Sequence, residues 1–359
     1  PRIDLDRDRI RRLVSGKRVL VTGAGGSIGS ALVRQISNLE PRRVVLLDDS
    51  EFNLYSIDKE LSELHPEIPR SAALCNVRAR ETVNRWFGKE MPEIVFHTAA
   101  LKHVPLLETH PLEGVHTNVI GTQNVADACV QFGVPAMVLI STDKAVNPRS
   151  VLGATKRAAE TYCQAIDAQS SATRILSVRF GNVLGSAGSV VPLFQRQLAT
   201  GGPLTVTDPE VTRYFMPAPD AAARVLQASV LGLLENPQPG SIYALKMGRP
   251  VKIADLARKL IRLAGKRPEI DVKIEFIGLR AGEKLHEELV HGEETRSATS
   301  IDGIVRLSPR TSDIAILRHQ IGELARAIET ADEARALRLL HAIVPEFDSM
   351  QPSGQTIEL

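Results

Sequence analysis

The chain is short of cysteine and of aromatic residues. Cys75, Cys129 and Cys163 stand far apart, and Phe, Trp and Tyr make up 4% of 359 residues. With no Cys-x-x-Cys pair, neither a disulfide framework nor a thiolate metal site is expected, and the three thiols read as buried groups of a reducing cytoplasm. No metal site of any other kind is expected. Long hydrophobic runs are missing too: nothing approaches the roughly 18 uninterrupted apolar residues of a membrane helix, and no basic leader precedes an apolar stretch. A soluble, cytoplasmic chain without membrane contact is expected. Nor does one sign of charge prevail, since 44 basic residues face 42 acidic ones for a net charge of +2. The basic residues are scattered, so no nucleic-acid partner is expected.

What is present is ordinary globular composition, 43% hydrophobic and 24% charged, in a definite rhythm. The first half alternates β-branched runs with helical patterns, which is the signature of a parallel sheet covered by helices. The expected strands are 18–23, 43–48, 71–77, 93–99, 136–142 and 175–181. Amphipathic stretches at 117–132 and 150–168 lie among them. This predicts an α/β fold with a doubly wound, Rossmann-like parallel sheet. After Gly181 the pattern turns irregular and rich in Gly and Pro, then returns to helix at 218–234 and to strand at 241–248. A smaller C-terminal substrate-binding lobe is expected to close over a ligand. The division reads as a linker or extension over 1–15, a dinucleotide-binding domain over 16–182 that also receives about 217–247, a substrate lobe over 183–216 and 248–300, and a helical tail over 301–359.

The stretch "VTGAGGSIG" sets Gly23, Gly26 and Gly29 between the first strand and a helix. Glycines there let backbone approach a pyrophosphate, and the helix N-terminus offers it free N–H groups. The next strand ends in Asp48, where an acidic side chain can bind ribose hydroxyls and would repel a 2′-phosphate. NAD is therefore favoured over NADP. Candidate cofactor contacts are Gly23, Gly26, Ser27, Ile28, Gly29, Asp48, Ser50, Asn76, Val77, Ala99 and Lys156.

One further absence is chemical. Sugar-oxidising enzymes with a nicotinamide often carry Tyr-x-x-x-Lys on a helix; here Lys156 is present, and Leu152 stands four positions before it. Leucine neither gives nor takes a proton. Thr142, Asp143 and Lys144, at the end of the strand 136–142, are the candidates to rebuild that chemistry beside Lys156. His97, inside "VFHTAA", reads as a packed strand histidine.

The runs "GKRVLVTGAGGSIGS", "HTAALKHVPLLE", "NVIGTQNV", "STDKAVNP", "GATKRAAE", "VRFGNVLGSAGSVVPLF" and "GLRAGEKLHEEL" resemble the nucleotide-sugar 4,6-dehydratases of the extended short-chain dehydrogenase/reductase superfamily. They are most similar to the branch acting on UDP-N-acetylglucosamine in bacterial polysaccharide and glycan synthesis. Larger, membrane-anchored members of that branch replace the tyrosine by an apolar residue, as at Leu152. The opening "PRIDLDRDRI" resembles the linker after their membrane region, so a catalytic domain cut from an anchored parent is expected. Asp49, Asn76 and Ala31 depart from the residues usual in the superfamily.

By that resemblance hydride leaves carbon 4 for NAD, water is lost across carbons 5 and 6, and hydride returns to carbon 6. Asp143 would be the acid for water loss. Lys144 would be the base at carbon 5, with its pKa lowered by burial, Lys156 and the oxidised nicotinamide. Thr142 would bond the carbon 4 hydroxyl, and Lys156 the nicotinamide ribose. Lys102 and His103 would face the sugar, Asn182, Arg213 and Arg280 the diphosphate, and Glu283 the nucleotide ribose. Retention at carbon 5 is implied, as is a homo-oligomer joined through the helices at 117–132 and 150–168. A UDP-sugar 4-epimerase and a catalytically silent nucleotide-sugar-binding module are the competing readings.

Overall fold

The computed structural model describes residues 6–348 apart from 171, 236 and 309–311. Nine strands form one sheet: β1 (Arg18–Thr22), β2 (Arg43–Asp48), β3 (Arg70–Leu74), β4 (Ile94–His97), β5 (Ala136–Thr142), β6 (Arg174–Phe180), β7 (Ile242–Leu245), β8 (Arg296–Ala298) and β9 (Ile304–Leu307). Their order is β8-β9-β7-β6-β5-β4-β1-β2-β3. Pairing is parallel from β3 through β7 and antiparallel at β9 and β8. A parallel sheet is covered on both faces, so its strands are continuously apolar. Alternation sorts them: Val19 and Val21 join one core, while Leu20 joins the other.

The strand order turns back between β1 and β4, and such a reversal opens a crevice at the carboxyl ends of the strands. Both the glycine turn after β1 and the Thr142 turn after β5 end there. Beyond the sheet, a small lobe pairs Leu204–Val206 with Ile274–Phe276 and Thr212–Arg213 with Val251–Lys252. Phe194, Leu204, Val211, Ile253, Ile261 and Val272 give it a core of its own.

Three features differ from the sequence reading. Where a linker was expected, Arg7–Val14 is a helix capped by Asp6, which accepts from the Arg9 N–H. Ile10, Leu13 and Val14 fall on one face by their spacing and are buried in the main core. In the expected tail and at the end of the expected lobe, β9 and β8 extend the main sheet. The helical tail expected over 301–359 holds two helices, Ile314–Glu329 and Glu333–Ile343, divided where Ala331 takes a φ of +53°; residues 309–311 and 349–359 lie outside the described residues.

Those two helices decide a further point. Ile314, Leu317, Ile321, Leu324, Leu340 and Ile343 pack into the core that holds the Val151–Gln169 helix, and every residue of that helix from Val151 to Asp167 is buried. The 150–168 part of the face expected to join two copies is covered by the chain's own C-terminal helices. Among the described residues no helix is long and apolar enough to cross a membrane.

Candidate active site

Gly23 leaves β1 with a φ of +63°, a conformation that a side chain rarely adopts, and a Cβ there would lie 2.8 Å from the Ala99 nitrogen. At Gly29 a Cβ would lie 2.0 Å from the Gly23 oxygen, so the Ser27–Ser37 helix can meet its loop only through glycine. Gly26 precedes this helix without a side-chain cap. The first N–H groups of the helix, those of Ser27, Ile28 and Gly29, therefore have no intrahelical acceptor and face the turn. This cradle fits a dinucleotide pyrophosphate. Asp48, buried at the end of β2, is fixed by two backbone donors: Gly25 N–H at 2.9 Å to Oδ2 and Ser50 N–H at 3.0 Å to Oδ1.

The remaining cofactor candidates divide. Ser50 caps the Glu51–Leu64 helix, and Ala99 donates to Thr22 Oγ1 at 3.3 Å beside Gly23. Asn76 spends its side chain locally, accepting from Arg78 N–H at 2.9 Å and donating to Asp49 at 3.2 Å. Val77 is a core residue, whose Cγ2 would be 2.8 Å from a Cβ at Gly121. His97 sits fully buried between Thr22 Oγ1 (2.7 Å) and Thr122 Oγ1 (3.0 Å). Burial, with Lys156 nearby, pushes its pKa down to about 3, so it is a neutral packing residue.

At the end of β5 the chain tightens into a short turn over Asp143–Ala145. Thr142 Oγ1 donates to Asp143 Oδ1 at 2.9 Å and accepts from the Lys144 N–H at 3.3 Å. Lys144 Nζ donates to Asp143 Oδ1 (3.0 Å) and Asn182 Oδ1 (3.1 Å) and lies 3.3 Å from Glu287 Oε1. Asp143 is fully buried, and its Oδ2 has no partner among the described residues. Gly181 keeps that oxygen clear, since a Cβ there would come within 3.0 Å of it. Burial raises the Asp143 pKa above the usual carboxylate range; Lys144 opposes this and Glu287 adds to it.

The Val151–Gln169 helix starts with two caps. Ser150 accepts from the Gly153 N–H at 3.1 Å, and Glu108 accepts from the Val151 N–H at 2.7 Å. Leu152 packs in the core. Lys156, 6% exposed, has no hydrogen-bond acceptor for its ammonium among the described residues. Burial pushes its pKa down to about 8 against the pull of Glu160. Glu160, one turn on, is held through both oxygens by the buried Arg179 (2.7 Å each) and by Ser141 Oγ (2.6 Å).

Lys144 corrects the sequence reading. Burial opposes its charge, but Asp143 and Glu287 outweigh burial and raise its pKa. Arg213 repels the ammonium, but the two carboxylates prevail. Glu287 was missed altogether: it is buried, bears on both Lys144 and Arg213 Nε (3.9 Å), and leaves its Oε2 without a partner among the described residues. The only signal for it was a second carboxylate in "GEKLHEEL", indistinguishable there from its neighbours.

The structure gathers Asp143, Lys144, Asn182, Arg213 and Glu283 around Glu287. Arg213 donates to Glu283 Oε1 (2.9 Å) and to the carbonyls of Thr212 (2.7 Å) and Leu285 (3.3 Å). Its fork is engaged within the protein, and a diphosphate would have to compete with Glu283. Glu283 also accepts from Thr207 Oγ1 at 2.9 Å. Arg280 reaches this cluster through its backbone, its N–H 3.3 Å from Glu283 Oε2 and its carbonyl accepting from the Glu283 N–H at 3.0 Å, and is exposed. Lys102 and His103 follow β4 at the surface. Burial lowers the Lys102 pKa, and burial with Lys102 lowers that of His103. The small lobe reaches His103 through Gly188, where a Cβ would lie 2.4 Å from the imidazole Cε1.

This combination of sheet order, glycine cradle and helical lysine defines a Rossmann-like fold of the short-chain dehydrogenase/reductase type. The chain belongs to the family of polysaccharide biosynthesis proteins, which matches residues 19–309. It is 47% identical over 305 residues to the capsular polysaccharide biosynthesis protein CapD of Staphylococcus aureus, covering 85% of this chain and 50% of CapD. The chain thus spans about half the length of that relative. An inverting UDP-N-acetylglucosamine 4,6-dehydratase of Campylobacter jejuni is 33% identical over 301 residues, 83% of this chain and 84% of the enzyme. Among solved structures, Pen from Bacillus thuringiensis superposes with a TM-score of 0.73 at 31% identity, covering 83% of this chain and 88% of its own. The UDP-glucose 4-epimerase of Thermus thermophilus, solved with NAD, gives 0.62 at 25% identity over 76% of this chain and 90% of its own.

Proposed function

We propose that the chain is a UDP-N-acetylglucosamine 4,6-dehydratase that uses NAD held in the Gly23–Gly29 cradle. One observation carries the reading: a fully buried Asp143, with one bare oxygen and a raised pKa, lies 3.0 Å from Lys144 at the carboxyl end of β5. Elimination of water needs such an acid, whereas epimerisation does not. The name of the Campylobacter relative supports the substrate class, and that of the Staphylococcus relative a place in polysaccharide synthesis.

When bound, NAD supplies the acceptor for hydride from carbon 4 and returns it to carbon 6. Lys156, with no hydrogen-bond acceptor of its own among the described residues, is free to hold ribose hydroxyls. The Thr142 hydroxyl, fixed by Asp143, orients the carbon 4 hydroxyl in place of the missing phenol. A proton passed from Lys144 Nζ to Asp143 Oδ1 leaves an amine beside a carboxylic acid. The amine takes the carbon 5 proton while the acid protonates the departing carbon 6 hydroxyl as water, and the pair ends as ammonium and carboxylate. Lys144 then returns a proton to carbon 5 on the face from which it was taken, which gives retention, and the pair regains one proton from solvent, which received the proton of the carbon 4 hydroxyl when that carbon was oxidised.

Incubation of the purified chain with UDP-N-acetylglucosamine tests the reading. A product lighter by one water, with the 4-keto-6-deoxy pattern in proton NMR, supports it. A 4-epimer of unchanged mass assigns the chain as an epimerase, and an unaltered substrate as a binding module. Mass spectrometry of dinucleotide released on denaturation should recover NAD, because the Asp48 carboxylate repels a 2′-phosphate; recovery of mainly NADP overturns that assignment.

A further inference from the structure

Asp143 and Lys144 are neighbours in the chain, but the third charge at their site comes from the small-lobe side. Glu287 Oε1 lies 3.3 Å from Lys144 Nζ, and the same ammonium lies 3.0 Å from Asp143 Oδ1. Two buried carboxylates therefore flank one ammonium. Each keeps an oxygen with no partner among the described residues, Asp143 Oδ2 and Glu287 Oε2. Buried polar atoms are rarely left so without a use. An isolated Asp–Lys pair would be complete with one carboxylate; a second one changes how many protons the pair holds.

We propose that Glu287 is a positioning residue for the Asp143–Lys144 pair: it anchors the Lys144 ammonium and sets the pH range in which the pair shares a single exchangeable proton. The inference rests on the dehydratase reading for its meaning in turnover. Lys144, Arg213 and Lys284 face Glu287 and keep it ionised, outweighing its burial. Asp143 is faced by Lys144, Glu287, Lys284 and the Thr142 hydroxyl; Lys144 is faced by Asp143, Glu287 and Arg213. A constant negative charge beside both members makes each of them hold its proton to higher pH. The reactive form, an amine beside a carboxylic acid, has one proton fewer than acid plus ammonium. It has one more than carboxylate plus amine. Such a state produces a bell-shaped rate profile that belongs to the pair and not to either residue.

The variant Glu287→Gln keeps shape and hydrogen bonding and removes the charge. Both limbs of its kcat profile should move to lower pH by about one unit, with KM for the sugar nucleotide changed less than kcat, and Glu287→Asp should restore most of the parental profile. A fall in kcat with both limbs unmoved would overturn the proposal, because a merely structural role predicts that result. Competitive acetylation of Lys144 across pH, followed by peptide mass spectrometry, reads the same charge without turnover. In the parental protein Lys144 should titrate above an ordinary lysine; titration below one overturns the proposal even if Glu287→Gln fails to fold. If the parent forms no dehydrated product yet Lys144 titrates high, the dehydratase reading fails and the Glu287 assignment stands.

Discussion

A Cβ on Gly153 would lie 2.1 Å from the Lys144 carbonyl oxygen. The helix that carries Lys156 thus rests directly on the backbone of the turn that carries Asp143 and Lys144, and no side chain fits between them. Gly153→Ala is expected to push the two apart. The cost should be about 1–3 kcal/mol in stability, as for other overpacked contacts. Activity should fall further than stability, since both charged groups shift. Thermal unfolding and product assay on one preparation check this, and a fully active Gly153→Ala would show that the contact relaxes without moving the site.

Removing the proton carriers should separate the steps of turnover. Asp143→Asn should lower product formation by about 100-fold or more, since an amide cannot protonate the leaving hydroxyl. Lys144→Ala should abolish dehydration and leave the dinucleotide bound, because Lys144 touches no part of the cradle. Thr142→Val removes the hydroxyl that bonds Asp143 Oδ1, so it should slow oxidation at carbon 4, read as the early rise of nicotinamide absorbance in a single turnover. An unchanged rise would assign the role of the tyrosine elsewhere.

Lys156 predicts a trade of stability against binding. Its folded pKa of about 8 lies below the value of about 10.4 in an unfolded chain. Between these values the unfolded state holds more protons, so the stability of the cofactor-free protein should rise with pH across that window. Cofactor affinity should move the opposite way, weakening by up to about tenfold per pH unit above 8 as the ammonium is lost. Lys156→Met should raise Tm at neutral pH, because a buried charge without a hydrogen-bond partner is replaced by an apolar chain, and should lose the dinucleotide. A lower Tm in that variant would mean that the charge is better solvated than its surroundings imply.

Leu152 belongs to packing. Leu152→Ala should cost about 2–5 kcal/mol of stability, as for other buried leucines, and keep substantial activity at temperatures where it stays folded. Leu152→Tyr should bring no large gain in rate, because the added ring must enter a filled core. A large gain would show that the phenol is still the better base here.

The sequence alone determined the parallel sheet, the glycine cradle, the acidic end of β2 and the placing of Asp143 and Lys144 at a strand end. All of these rest on local signals: apolar runs of strand length, glycines at a strand-to-helix turn, and residues adjacent in the chain. Tertiary structure decided what depends on residues distant in sequence. It buried the Val151–Gln169 helix under the chain's own C-terminal helices, tied Arg213 to Glu283, and brought Glu287 against Lys144. Together with Asp143, the last of these reversed the expected direction of the Lys144 pKa. Burial and like or opposite charge act through space, and a linear pattern records which charges exist but not which of them meet out of water.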